Sequence, residues 1–361
     1  MNDDLLDRRN ILIHPEKLEF NVLDSVSNPR SVHGIYPYRG KISALDARQV
    51  LSQFPPRLSI LDPFCGSGTI VYEAAALGHR SVGVELNPVA QVLTEGKLSI
   101  NSTLESFLQE AKDLIHEASG RAFTPQNGCA AGKHFHTDTY EQISKLSTMF
   151  ESMSPYVKAC FAGTLCLAAR GCNWYKWTSS TVGKDMEPKQ YIDFHSKFLT
   201  KIRKHYFPIL EIDADLVKGD SRDLSVLSES SVDLVFTSPP YFDCLDYTAY
   251  YAKILYDIVG INRLEIKNQL IQKYGGYESD MKIVLTEIEK VVKPGGLVIF
   301  VVGDKKVHGE VINGGEYFRN LTPMKHIRSI ERSYSGTSSK VFDAINKTQR
   351  KEQIVVWRNE K

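Results

Sequence analysis

Apolar positions along the chain follow two alternating rhythms. Short runs rich in Val, Ile, Leu and Phe lie at Leu58–Leu61, Ser81–Val84, Asp215–Lys218, Val232–Phe236, Gly296–Val302 and Gln353–Trp357, and each reads as a strand. A further strand is expected near Ile327–Tyr334. Thr69–Leu77, between the first two runs, has helical character and stops at Gly78. Strands alternating with helical stretches predict an α/β fold built on a mostly parallel sheet.

The alternation breaks off in the middle of the chain. Ser102-Thr-Leu-Glu105 reads as a capping box, with Leu104, Phe107, Leu108, Ala111, Leu114 and Ile115 on one helical face. Ser154-Pro155 opens a helix that should end near Gly171, and Glu187-Pro188 opens another with Tyr191, Phe194, Phe198 and Ile202 on one side. Since no βαβ unit is evident there, residues 101–212 read as a helical insertion. The flanking parts, 1–100 and 213–361, read as the N-terminal and C-terminal halves of one domain.

Composition narrows the class without naming a partner. A chain of 361 residues, 42% hydrophobic and 24% charged, has material for a sizeable core. Its formal net charge of +1 is silent on nucleic acid, so local distribution must decide. No signal peptide and no bilayer-length apolar stretch is visible, which predicts a cytoplasmic protein without a membrane partner. The six cysteines form no CxxC pair, and Cys160, Cys166 and Cys172 fit buried thiols on helices. His134 and His136 lack neighbours that would complete a metal site and read as surface histidines, so no metal is expected.

Two turns carry the chemistry. The first run opens into Asp62-Pro-Phe-Cys-Gly-Ser-Gly-Thr69, where Gly66 and Gly68 let backbone approach a ligand closely. Glu85 ends the second strand, where an acid can accept both hydroxyl protons of a ribose. Asp220 follows the third and could take an adenine amino group; alternatively, both acids cap helices. The second turn, Thr237-Ser-Pro-Pro-Tyr241, ends the fourth run. Ser238 Oγ and the Pro239 carbonyl can accept the protons of an exocyclic amine, Pro239 and Pro240 stiffen the turn, and Tyr241 offers a stacking face. No Pro-Cys dipeptide, the mark of the C5-cytosine methyltransferases, exists here, so the chain does not resemble a family in which Cys65 would be the nucleophile.

The pair of turns resembles the DNA amino-methyltransferases that make N4-methylcytosine or N6-methyladenine, and Ser238 is closest to the N4-cytosine group. His33-Gly-Ile-Tyr-Pro-Tyr-Arg-Gly-Lys41 is similar to the segment that closes over the cofactor's methionine part, and Val292-Lys-Pro-Gly-Gly-Leu-Val-Ile-Phe300 to the turn into the fifth strand. The resemblance spans roughly 31–100 and 213–358. It implies a Rossmann-like class I methyltransferase with a seven-stranded sheet and S-adenosylmethionine as cofactor. Tyr36, Lys41, Asp62, Pro63, Phe64, Gly66, Gly68, Thr69, Glu85, Leu86, Asp220 and Ser221 would hold that cofactor, and Ser238, Pro239, Pro240 and Tyr241 a flipped base. It also implies double-stranded DNA as substrate, in a restriction-modification system whose endonuclease forms no stable complex with this chain. Adenine N6 is the alternative target, followed by RNA or a catalytically silent nucleic-acid-binding module.

A basic, aromatic stretch in the insertion offers a place for that nucleic acid. Trp174, Lys176, Lys184, Lys189, Lys197 and Lys201 are its candidates, against the simpler reading of buried tryptophans and a solvated face. A second basic stretch, Arg319–Arg332, reads as loop-like and could also meet a phosphate backbone.

Overall fold

The computed structural model describes residues 15–20, 32–38, 42–123, 134–169, 190–209, 211–240, 246–249, 251–272, 274–307, 310–334 and 350–361. Its centre is a seven-stranded sheet formed by β1 (Ser59–Asp62), β2 (Arg80–Glu85), β3 (Ala214–Lys218), β4 (Val232–Thr237), β5 (Val292–Gly303), β8 (Lys325–Tyr334) and β9 (Arg350–Arg358). The strand order is β3-β2-β1-β4-β5-β9-β8. The five from β3 to β5 run parallel, while β9 is antiparallel to both β5 and β8. Five parallel strands closed by an antiparallel pair make this the Rossmann-like class I methyltransferase arrangement.

The central strands read as continuous apolar runs because both faces are covered. Ile60, Leu234, Phe236, Ile299 and Val356 point to one side, where α1 (Ala44–Leu51) and α2 (Thr69–Ala76) pack. Leu61, Val235, Val298, Phe300 and Trp357 point to the other, against α10 (Tyr274–Val291), which follows α8 (Tyr251–Val259) and α9 (Arg263–Gln269). Successive residues alternating between the two cores is the period of two that a strand imposes. Trp357 is fully buried and meets Phe300 edge-on at 5.4 Å, pinning the antiparallel strand to the parallel set.

Between β2 and β3 lie α3 (Pro88–Leu98), α4 (Leu104–Ser119), α5 (Thr137–Ser147), α6 (Pro155–Ala168) and α7 (Phe194–His205). This helical stretch shares one core with the sheet's β3 edge and with residues 32–36. Its packing is close enough to forbid side chains at two glycines. A Cβ on Gly96 would lie 2.3 Å from the Ala159 Cβ, and one on Gly163 would lie 2.0 Å from the Ile35 carbonyl oxygen.

Several sequence expectations shift here. Thr103, not Ser102, caps α4, accepting from the Ser106 amide at 3.1 Å. The helix placed at Glu187-Pro188 begins at Phe194 with Asp193 as its cap, so Phe194, Phe198 and Ile202 are buried while Tyr191 precedes the helix and is exposed. His134 is buried rather than on the surface, and His136 caps α5. Cys160 and Cys166 are buried thiols outside any disulfide; Cys172 lies outside the described residues. The Arg319–Arg332 stretch is largely strand β8, not a loop, and Arg328 donates to the Glu16 carbonyl at 2.7 Å. A short hairpin of β6 (Lys305–Val307) and β7 (Glu310–Ile312) had no sequence signal. No described helix is long and apolar enough to cross a membrane.

Candidate active site

The strand order reverses between β1 and β4, and in such sheets the crevice beyond the carboxyl ends at that point receives ligands. Both strands end there in a polar residue. Thr237 Oγ1 donates to Asp62 Oδ1 at 2.6 Å, and the Phe64 amide donates to the same oxygen at 3.2 Å. That bond ties the glycine-rich turn to the Ser-Pro-Pro turn. Beyond it opens a cleft lined by both turns and by Glu85, Asn87 and Asp220.

The glycine-rich turn forms one wall. Gly66 and Gly68 have φ of 52° and 70°, a region that favours glycine. A Cβ on Gly68 would also meet Thr94 at 2.7 Å. Thr94 Oγ1 donates to the Gly66 carbonyl at 2.9 Å, and Lys97 Nζ donates to the Ser67 carbonyl, so α3 holds the turn from behind. Lys97 also reaches His33 Nδ1 at 3.3 Å, and His33 Nε2 pairs with Glu73 Oε1 at 2.8 Å. Arg48 completes the chain at 2.8 Å from Glu73 Oε2. Burial works to raise the Glu73 carboxyl, but His33 and Arg48 outweigh it and hold it below its ordinary range.

Acids line the next wall. Glu85 Oε2 accepts from the Gly66 amide at 2.8 Å and Oε1 from the Asn87 amide at 2.7 Å, which fixes the carboxyl and leaves lone pairs for a ligand. Burial raises Glu85 to about 7, against the opposing pull of those amides. Asp62 is likewise raised to about 7 by burial, opposed by Thr237 and the Phe64 amide. Asp220 lines the cleft with Ser221, whose hydroxyl donates to the Pro63 carbonyl. The Arg222 guanidinium grips both Asp220 oxygens, with Nε 3.0 Å from each. Thr69 lines the same space, its Oγ1 buried and without a hydrogen-bond partner among the described residues. A glycine cradle, an orphaned hydroxyl and two fixed acids fit a nucleoside-bearing cofactor.

The Ser-Pro-Pro turn closes the other end. Ser238 and Pro240 line the cleft and Pro239 is buried beside them. Among the described residues nothing hydrogen-bonds Ser238 Oγ, which leaves it available to a substrate. Cys65 lines the cleft too, but burial pushes its thiol well above the usual value, which suits packing better than nucleophilic attack.

The structure gathers Asp62, Pro63, Phe64, Gly66, Thr69, Glu85, Leu86, Asp220, Ser221, Ser238 and Pro240 around one space. It does not bring Tyr36 there. Tyr36 is buried in the helical core, because the Tyr38 amide bonds back to the Tyr36 carbonyl at 2.8 Å and the bend sends Tyr38 into the cleft instead. Lys41, Tyr241, Trp174, Lys176, Lys184 and Lys189 lie outside the described residues. Lys197 is exposed on α7. Lys201 is corrected: it is buried, with Nζ donating to the Ile35 carbonyl at 2.9 Å, and cannot meet a phosphate.

Sequence reasoning missed Asn87 and Tyr247, which also line the cleft. Asn87 Oδ1 accepts from Tyr256 Oη at 2.6 Å and from the Val89 amide at 3.0 Å. The Asn-Pro pair opening α3 was the available signal for that cap. No cluster of metal-ligating side chains occurs among the described residues.

Residues 47–139 match the model of the family described as RMKL-like, methyltransferase domain. The chain is 23% identical to the Type II methyltransferase M.MjaII of Methanocaldococcus jannaschii, over 80% of this chain and 75% of that protein. Among solved structures it is similar to the rRNA methyltransferase aviRa from Streptomyces viridochromogenes, with 13% identity, 94% of each chain covered and a TM-score of 0.38. It is also similar to TrmN from Thermus thermophilus, with 12% identity, 89% of this chain and 50% of that one covered, and a TM-score of 0.35. At TM-scores below 0.5, these two likenesses decide neither fold nor substrate.

Proposed function

We propose that this methyltransferase moves a methyl group from S-adenosylmethionine to the exocyclic N4 amine of cytosine in double-stranded DNA, as the modification enzyme of a restriction-modification system. The observation that carries the reading is Ser238, its hydroxyl unpartnered among the described residues, on a two-proline turn in the same cleft as Gly66, Glu85 and Asp220. The Type II methyltransferase among the similar proteins supports a DNA substrate.

The bound cofactor supplies an electrophilic methyl on a sulfonium. Glu85, oriented by two backbone amides, would accept the ribose hydroxyl protons. Asp220, oriented by Arg222, would accept from the adenine amine, and Thr69 Oγ1 and Asp62 would face the polar methionine end. Ser238 Oγ and the Pro239 carbonyl would accept the two amine protons of the base. That draws the nitrogen lone pair out of the ring and aims it at the methyl, so positioning supplies most of the rate. The prolines add no N–H to compete for that lone pair.

Two carboxyls raised to about 7 give this site a pH signature. In the cofactor-free protein they are partly protonated near neutrality, whereas hydroxyl donors and cationic groups of the ligand favour the carboxylates. Binding should therefore strengthen as pH rises through about 7 and release protons below it. The affinity change is up to about ten-fold per pH unit for each proton released. Calorimetry at pH 6 and 8.5, in buffers of different ionisation enthalpy, measures both; equal affinity with no proton release would sink the assignment. The free protein follows the same linkage. Its raised acids bind protons more tightly folded than unfolded, so their contribution to stability falls between the ordinary carboxylate range and about pH 7.

The test of the reaction is nucleoside mass spectrometry on unmethylated DNA incubated with the protein and labelled S-adenosylmethionine. N4-methylcytosine is the expected product. N6-methyladenine would keep cofactor and fold but overturn the weight given to Ser238, and label in RNA alone would overturn the substrate.

A further inference from the structure

We infer that Tyr277 is the positioning residue of the catalytic turn, and that the start of α10 holds this turn and the cofactor-side acid on one brace. The inference rests on the transfer reaction proposed above. A turn of two prolines lacks the amides that usually anchor a loop, so its carbonyls must be held by donors from elsewhere. Tyr277 provides one, with Oη donating to the Pro240 carbonyl at 2.6 Å. The phenol is itself immobilised: it is only 2% exposed and packs edge-on against Phe318 at 6.3 Å. Phe318 in turn meets Phe300 of β5 at 5.6 Å, so the donor is referenced to the sheet and not to a loop.

Three residues further along the same helical face stands Asp280. Its Oδ1 accepts from Arg222 Nη1 at 3.0 Å, and Arg222 Nη2 donates to the Gln269 carbonyl at 2.9 Å. The remaining edge of this planar fork grips Asp220. One helix therefore sets both the carbonyl next to the reacting base and the acid proposed for the adenine edge. Tyr277 does not line the cleft, so it acts through Pro240 and not on the reactants. Fixing the Pro240 carbonyl restrains Pro240, whose ring nitrogen is bonded to the Pro239 carbonyl carbon, and the Pro239 carbonyl is the proposed second acceptor for the amine.

Tyr277→Phe keeps the ring and its packing and removes only the donor. At saturating cofactor, kcat per cofactor-binding site should fall about ten-fold, while the cofactor dissociation constant and the KM for DNA stay within about two-fold. Hydrogen–deuterium exchange in the peptide spanning 234–249 should speed up in the same variant, whether or not transfer is assayed. Asp280→Asn should instead weaken cofactor binding several-fold. Unchanged kcat with unchanged exchange in Tyr277→Phe overturns the inference. So does faster exchange with kcat per site intact, because the bond would then be structural only. Absence of transfer by the unaltered protein is a failure of the reaction reading, and the exchange measurement then decides the brace alone.

Discussion

Ser238→Ala is expected to lower methyl transfer by about 10²–10³-fold, the usual loss when a single preorganised hydrogen-bonding group at a reacting centre is removed. The hydroxyl lines the cleft and has no partner among the described residues, so its deletion orphans nothing and should leave the melting temperature close to that of the parent. Cofactor affinity should also be unchanged, because the acids that would hold the nucleoside lie at the ends of other strands. The Pro239 carbonyl would still accept one amine proton, which predicts slow transfer and not silence. Single-turnover assays with equilibrium binding of the cofactor separate the two effects. Turnover within about three-fold of the parent would remove Ser238 from the mechanism and reopen the reading of the turn as a stiff connector.

Glu85→Ala should act on the opposite half-reaction. Its carboxyl is buried and held by the Gly66 and Asn87 amides, so the substitution removes the proposed ribose acceptor and frees the glycine-rich turn together. Charge-assisted hydrogen bonds contribute about 1.5–3 kcal/mol each, so losing the pair to the ribose should weaken cofactor binding by about 10²–10⁴-fold. Glu85→Gln should rescue little, because its amide nitrogen would turn a donor toward one of the two backbone N–H groups. Calorimetric titration of both variants with the cofactor reads this directly. An affinity within about five-fold of the parent would mean that the acid only braces the turn.

Much of this was legible in the chain because strand ends write their own chemistry. The apolar runs at Leu58–Leu61 and Val232–Phe236 located β1 and β4, and the turns after them were the two walls of the cleft. Other features depended on contacts far apart in sequence. Tyr277 reaches Pro240 across 37 positions, and Lys201 reaches Ile35 across 166. A lysine on a helix rich in lysines looks solvated until its neighbours are known, and only the packing of α6 and α7 against residues 32–36 buries that one. Tyr36 and Tyr38 were indistinguishable by spacing, since a single backbone bond within the segment decides which of them turns inward. The cap at Thr103 shows the smaller limit: adjacent hydroxyl residues are equivalent on paper, and the geometry of the first turn chooses.

The two crowded glycines have a consequence for engineering. Gly96 lets Ala159 touch α3, the helix that holds the glycine-rich turn, and Gly163 lets α6 rest on the Ile35 carbonyl. The helices that follow α3 are thus keyed into α3 and the 32–38 segment, beside the glycine-rich turn. Exchanged between relatives as a cassette, they would lose that fit. A chimera would have to carry 32–38 and α3 with them, and substitutions should be confined to the outward faces of these helices, leaving the keyed surface as it is.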